Sequence, residues 1–134
     1  MAKGEVASDI NAIKNTFAGL VAVAEAGNAD GWFDYITDDA VYLLPGFSPI
    51  FGAEAIRDFV NGFLKDWSFS FPNWTIEKIT VSGDLAIYRY SGIATMTSHD
   101  GSESISEDRK YIDVYRKGKD DHWLLARHMY NLSQ

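Results

Sequence analysis

Pro72-Asn73-Trp74-Thr75-Ile76-Glu77-Lys78-Ile79-Thr80-Val81 is the stretch on which the fold turns. Before it, apolar residues recur at steps of three and four. From it onward they alternate. Three-to-four spacing marks one face of a helix, and alternation marks a strand with one buried face. The chain therefore reads as helices first and strands afterwards.

Toward the N-terminus, Ile56, Phe59, Val60, Phe63, Leu64 and Trp67 form a helical stripe that opens at Gly52-Ala53-Glu54 and that Trp67 is expected to end. Pro45-Gly46 breaks a short strand over 40–44, and Phe47, Pro49 and Phe51 lie in the loop after it. Asn28 or Asp30 is a natural cap for a shorter helix carrying Trp32, Phe33 and Ile36, which Asp38-Asp39 ends. Val6, Ile10, Ile13, Phe17, Leu20, Val21 and Ala24 line one face of a long amphipathic helix, and Gly27 supplies its left-handed stop.

Toward the C-terminus, four strands are expected over 74–81, 85–97, 104–117 and 122–132. Ser82-Gly83-Asp84, Asp100-Gly101 and Lys117-Gly118-Lys119-Asp120 are the turn signals between them. Three helices and then consecutive hairpins predict an α+β fold, with the helices on one face of a curved, mostly antiparallel sheet. Strand 85–97 carries Tyr88, Tyr90, Gly92, Ala94 and Met96 on one face, and Ile87, Arg89, Ser91, Ile93 and Thr95 on the other. Neither face is fully polar. One is expected to meet the helices and the other a second copy of the chain.

Composition sets the outer limits. A chain of 134 residues with 46% hydrophobic and 23% charged residues is expected to be one globular domain, 1–134. The net charge is −7, and the one basic patch, Arg116-Lys117-Gly118-Lys119, runs straight into Asp120-Asp121. A nucleic-acid binder needs a basic stripe against the phosphates, so neither nucleic acid nor an anionic membrane is an expected partner. There is no cysteine, which removes disulfides, thiolate metal sites and cysteine nucleophiles together. Met1 to Glu5 lead into polar residues and no apolar run is long enough to span a bilayer, so a cytoplasmic location is expected. His99, His122 and His128 are scattered without metal-ligand spacing, so no metal site is expected.

Several segments together resemble a known family. They are Gly27-Asn28-Ala29-Asp30-Gly31-Trp32, Thr37-Asp38-Asp39-Ala40-Val41, Pro45-Gly46 and Gly52-Ala53-Glu54-Ala55-Ile56-Arg57-Asp58-Phe59, with the ending Trp123-Leu124-Leu125-Ala126-Arg127-His128-Met129-Tyr130-Asn131. The pattern resembles the nuclear-transport-factor-2-like superfamily, in its ketosteroid-isomerase-like and SnoaL-like branch. That resemblance implies a cone-shaped roll with a pocket at its wide end, and homodimers through the sheet. Ketosteroid isomerases in that branch use a carboxylate base, a tyrosine donor and a protonated aspartic acid. The matching positions here are Leu44, Leu20 and Asp113. One of the three is retained, which disfavours ketosteroid isomerisation itself.

Asp113 lies mid-strand among apolar residues, where a carboxylate is costly unless paired, hydrogen-bonded or protonated. It is a candidate acid–base group; the alternative is a strand carboxylate paired with an arginine or facing solvent. The resemblance turns Ala126, His128 and Tyr130 inward. A hairpin closing over 117–121 would put Asp113 opposite about 126 and diagonal to His128, within reach of an Asp–His pair. Otherwise His128 is a core histidine.

Tyr88 and Tyr130 are the candidate donors to a developing oxyanion, with packing as the competing role for each. The candidate substrate-binding set is Tyr42, Phe47, Phe51, Phe59, Trp67, Trp74, Tyr90 and Met96. Of these, Phe47 and Phe51 suit a lid and Trp67 suits a plug. Arg109 is expected at the rim, paired with Glu107 or Asp108.

The expected function is that of a small-molecule pocket protein. As an enzyme it would be a cofactor-free isomerase, cyclase or hydratase/dehydratase acting on a hydrophobic carbonyl compound. The other reading is a non-catalytic ligand-binding or dimerisation module.

Overall fold

The computed structural model describes residues 3–133. Helix α1 (Lys3–Glu25) ends where Gly27 takes a φ of 72°, a conformation glycine adopts without a Cβ penalty. The Asn28 N–H reaches back to the Val23 carbonyl at 2.9 Å and the Gly27 N–H to Ala24 at 3.1 Å, closing the helix with a Schellman motif. The Asn28 side chain then accepts the Gly31 N–H at 3.1 Å. Residues Ala29–Asp34 form a 3-10 helix rather than an α-helix running to Asp38. Strand β1 (Ile36–Leu43) therefore starts early and contains Asp38 and Asp39. Asp39 binds Arg116, and this contact, with a smaller one from Thr37, lowers its carboxyl to about 2. The loop after β1 contains the two-residue strand β2 (Ile50–Phe51), and α2 (Ala53–Leu64) lies where its stripe predicts.

The remaining strands are β3 (Trp67–Ser82), β4 (Leu85–Ser98), β5 (Ser104–Lys117) and β6 (Trp123–Leu132). They form one six-stranded sheet in the order β2-β1-β6-β5-β4-β3. All pairings are antiparallel except β1 with β6. The α+β class with a curved, mostly antiparallel sheet stands. Strand β3 differs from expectation: it begins at Trp67, not 74, and holds Pro72 inside. An edge strand tolerates a proline at a bulge because its missing N–H need not break the ladder. The ladder accordingly skips from Ser70–Thr95 to Asn73–Ile93. Trp67 thus opens a strand instead of ending the helical stripe.

The inner face of the sheet and the apolar stripe of α1 make the core. Ile13, Phe17, Leu20 and Ala24 meet Tyr88, Tyr90, Tyr111, Tyr115, Trp123 and Leu125. The Trp123 indole N–H donates to Asp9 at 3.0 Å, and the Thr16 hydroxyl donates to the Trp123 carbonyl at 2.6 Å. These two bonds fix α1 against the start of β6. The outer face keeps Leu85, Ile87, Ile112 and Met129 exposed. Among the described residues no helix is long and apolar enough to cross a membrane.

Candidate active site

Between the helices and the inner face lies a cavity of about 320 Å³. Phe17, Leu20, Phe59, Phe63, Phe69, Phe71 and Trp74 supply much of its apolar wall. Most of its polar groups come from the inward residues of β5 and β6, and Tyr42 of β1, Asn73 of β3 and Tyr90 of β4 join them.

Asp113 and His128 sit directly opposite each other in the β5–β6 ladder. The expected partner of Asp113, Ala126, is displaced for two reasons. The hairpin closes at Lys117–Trp123, and β6 then bulges between the Val114–Arg127 and Tyr115–Leu125 pairs. A bulge places two residues against one and resets the alternation beyond it. Leu125 and Ala126 are both buried, Arg127 points out, and His128 returns to the cavity.

The Asp113 carboxylate is 1% exposed, and both of its oxygens are engaged. Oδ1 lies 2.9 Å from His128 Nδ1, and Oδ2 accepts the Tyr90 hydroxyl at 2.8 Å. An ionised carboxylate only accepts hydrogen bonds. With the carboxylate accepting both bonds, the proton between Asp113 and His128 belongs to Nδ1. Burial raises the Tyr90 phenol well above its ordinary value, and the nearby Asp113 charge adds to this. Tyr90, expected in the substrate-binding set, lines the cavity and also holds the carboxylate.

Tyr42 borders the cavity with its ring 4.5 Å from the His128 ring, and its hydroxyl accepts the Trp32 indole N–H at 3.1 Å. Burial raises its phenol too. Tyr130 lines the cavity 6.0 Å from His128, centroid to centroid, and carries the Arg109 guanidinium 4.1 Å above its ring. Phe47 and Phe59 meet edge to face at 5.1 Å, with Phe47 largely exposed beside the opening. Trp74 packs its edge against Phe17 at 5.4 Å, and Met96 is buried in the wall. Leu20 and Leu44, the two positions without the isomerase groups, also line the cavity.

Three expected site residues lie elsewhere. Tyr88 is fully buried one pleat beyond Tyr90 and does not line the cavity; Phe17 covers its ring at 5.1 Å. Its hydroxyl finds no partner among the described residues. Phe51 belongs to β2 at the far edge of the sheet and is 70% exposed. Trp67 stacks on Phe63 at 6.0 Å, behind the wall that Phe63 itself provides.

Arg109 pairs with Glu107 at 2.6 Å, as expected, yet it is buried and faces the cavity. The regular alternation Arg109, Tyr111, Asp113, Tyr115 along β5 carried that signal. Phe17 was legible only as a member of the core stripe. Among the described residues no three His, Asp or Glu side chains converge to hold a metal ion.

A family model described as a SnoaL-like domain matches residues 17–126. No curated protein matches the chain. Many solved structures share the fold. One is a ketosteroid isomerase-like protein from Erwinia carotovora, with TM-score 0.81 and 17% identity over 92% of this chain and 95% of its own. Another is a nuclear-transport-factor-2-like protein with a cystatin-like fold from Novosphingobium aromaticivorans, with TM-score 0.75 and 19% identity over 97% and 85%. A third is a hexachlorocyclohexane dehydrochlorinase from Novosphingobium barchaimii, with TM-score 0.80 and 18% identity over 99% and 92%.

Proposed function

The chain belongs to the SnoaL-like domain family, and from that premise we propose that it is a cofactor-free acid–base enzyme acting on a hydrophobic carbonyl compound. The class of reaction is isomerisation, cyclisation, hydration or dehydration. The observation that carries this reading is the Tyr90–Asp113–His128 chain, set in the wall of an aromatic cavity. Two fold neighbours bear names of comparable chemistry, isomerase-like and dehydrochlorinase. At their level of identity they support the fold alone, so the chemistry rests on the dyad.

The two dyad members take different roles. Asp113, saturated by Tyr90 and His128, orients the imidazole and stabilises the imidazolium that forms. His128 Nε2 is the base. It takes a proton from the carbon beside the substrate carbonyl; the C–H electron pair moves into the new enolate and leaves negative charge on the carbonyl oxygen. In this reading the Tyr130 hydroxyl, on a ring 6.0 Å from that of His128, donates to that charge. The imidazolium then returns the proton to a second carbon, or to a leaving oxygen. A dry aromatic wall strengthens each of these interactions.

Proton exchange tests this directly. The probe is 2-tetralone in D2O, followed by NMR. Wild-type protein should exchange the α-protons faster than buffer. His128→Gln should lose on the order of 10²–10⁴ in rate. Asp113→Asn should lose rate in the same direction, because its amide offers a donor where Nδ1–H needs an acceptor. Exchange no faster than buffer, or undiminished in His128→Gln, sinks the acid–base reading. Binding without exchange would favour the ligand-binding module, a reading that the apolar outer face of the sheet also supports.

A further inference from the structure

Arg109 stands four residues from Asp113 on the same face of β5, roughly 13 Å along the strand. It is only 8% exposed and borders the cavity. A buried guanidinium needs compensation, and Glu107 provides it. Nε and Nη2 both donate to Glu107 Oε1, at 2.9 and 2.6 Å, and Nη2 also approaches Met96 Sδ at 3.7 Å. Arginine has five N–H donors. The Tyr111 hydroxyl is a further hydrogen-bond partner of the guanidinium, so Glu107, Met96 and Tyr111 engage four of the five donors. The plane of the group is held 4.1 Å over Tyr130, whose ring is 6.0 Å from His128. Base and guanidinium thus flank one tyrosine. The cavity has two polar poles with aromatic surface between them.

Charge decides what the second pole accepts. Glu107, paired with Arg109 at 2.6 Å, already neutralises it. No net positive charge remains at this pole to offset a carboxylate or phosphate taken out of water. The one remaining donor suits an uncharged oxygen. Resting on the acid–base reading above, we infer that Arg109, positioned by Glu107 and Tyr130, anchors a neutral carbonyl, ether or hydroxyl oxygen of the substrate at the end remote from the reacting carbon. The substrate class is therefore an uncharged ring compound oxygenated at both ends.

Equilibrium binding, read from tryptophan fluorescence with Trp32 and Trp74 in the wall, tests this with three probes. They are 2-tetralone, its 6-methoxy derivative and its 6-carboxylate. Wild-type protein should bind the methoxy ketone roughly tenfold tighter than the parent, the worth of one hydrogen bond from a charged donor. Arg109→Met should abolish that preference while still binding the parent. Glu107→Gln, which leaves the guanidinium charge uncompensated, should raise affinity for the carboxylate roughly tenfold. If Arg109→Met does not fold, the Glu107→Gln result decides.

Equal affinity for the first two ketones overturns the inference. So does a methoxy preference that survives Arg109→Met, a carboxylate that binds wild type as tightly as the methoxy ketone, or no binding by any probe at millimolar concentration. Binding is read without turnover. Failed proton exchange with an intact Arg109-dependent preference would therefore sink the acid–base reading alone.

Discussion

Tyr88 and Tyr90 stand two residues apart on one face of β4, and their hydroxyls have opposite fates. Tyr90 donates to a buried carboxylate, whereas the Tyr88 hydroxyl is buried without a partner among the described residues. A hydrogen bond to a charged group contributes about 1.5–3 kcal/mol, while an unpaired buried hydroxyl contributes nothing and costs its desolvation. Urea denaturation should therefore show Tyr90→Phe losing about 1.5–3 kcal/mol, and Tyr88→Phe unchanged or more stable. A loss in Tyr88→Phe equal to that in Tyr90→Phe would contradict the assignment. The sequence placed both tyrosines on one face of the strand without saying which face is inward, and the structure turns theirs inward. The sequence had no means of choosing between them, because the choice depends on which one a cross-strand carboxylate reaches.

At the scale of elements, the cavity wall depends on how closely β3 approaches β4. Gly92 makes that approach possible: a Cβ there would collide with the Asn73 carbonyl oxygen and lie 2.9 Å from Trp74 Cα. Both are backbone atoms of the bulged segment after Pro72, which cannot swing aside as a side chain would. Gly92→Ala should cost about 1–3 kcal/mol, as overpacking does, and should weaken binding of 2-tetralone because Trp74 moves with the strand. A stable variant with unchanged affinity would mean that the approach is not needed.

The helix-to-strand switch was legible from periodicity, and so were the three hairpin turns. Two features were not. The expectation that one short helix carries Trp32, Phe33 and Ile36 and runs to Asp38 failed at Ile36, which opens β1, because three apolar residues are too few to separate a 3-10 turn followed by a strand from a longer helix. The start of β3 at Trp67 was hidden because Trp67 also continues the spacing of α2.

For the whole molecule, the curved sheet has two apolar sides, and the helices cover one. The homodimer that we propose uses the other, through Ile87, Ile112 and Met129, which remain exposed in the single chain. Light scattering should give twice the chain mass at micromolar concentration, and Ile112→Lys should reduce it to the monomer with the circular dichroism spectrum retained. A monomeric wild type removes the proposal.

The sequence by itself determined the fold class, because periodicity records which residues share a face, and a face must be buried somewhere. It also put Asp113 and His128 on strands of one hairpin, with a ring of aromatics around them. Only the tertiary structure decided that they meet. The hairpin closes at Lys117–Trp123, and a one-residue bulge in β6, invisible to local pattern, completes the shift that lays His128 against Asp113. Tertiary structure likewise decided that Phe51, Trp67 and Tyr88 stand outside the cavity and that Arg109 borders it. Register and cavity shape come from pairing between distant segments, and local spacing holds no record of that pairing.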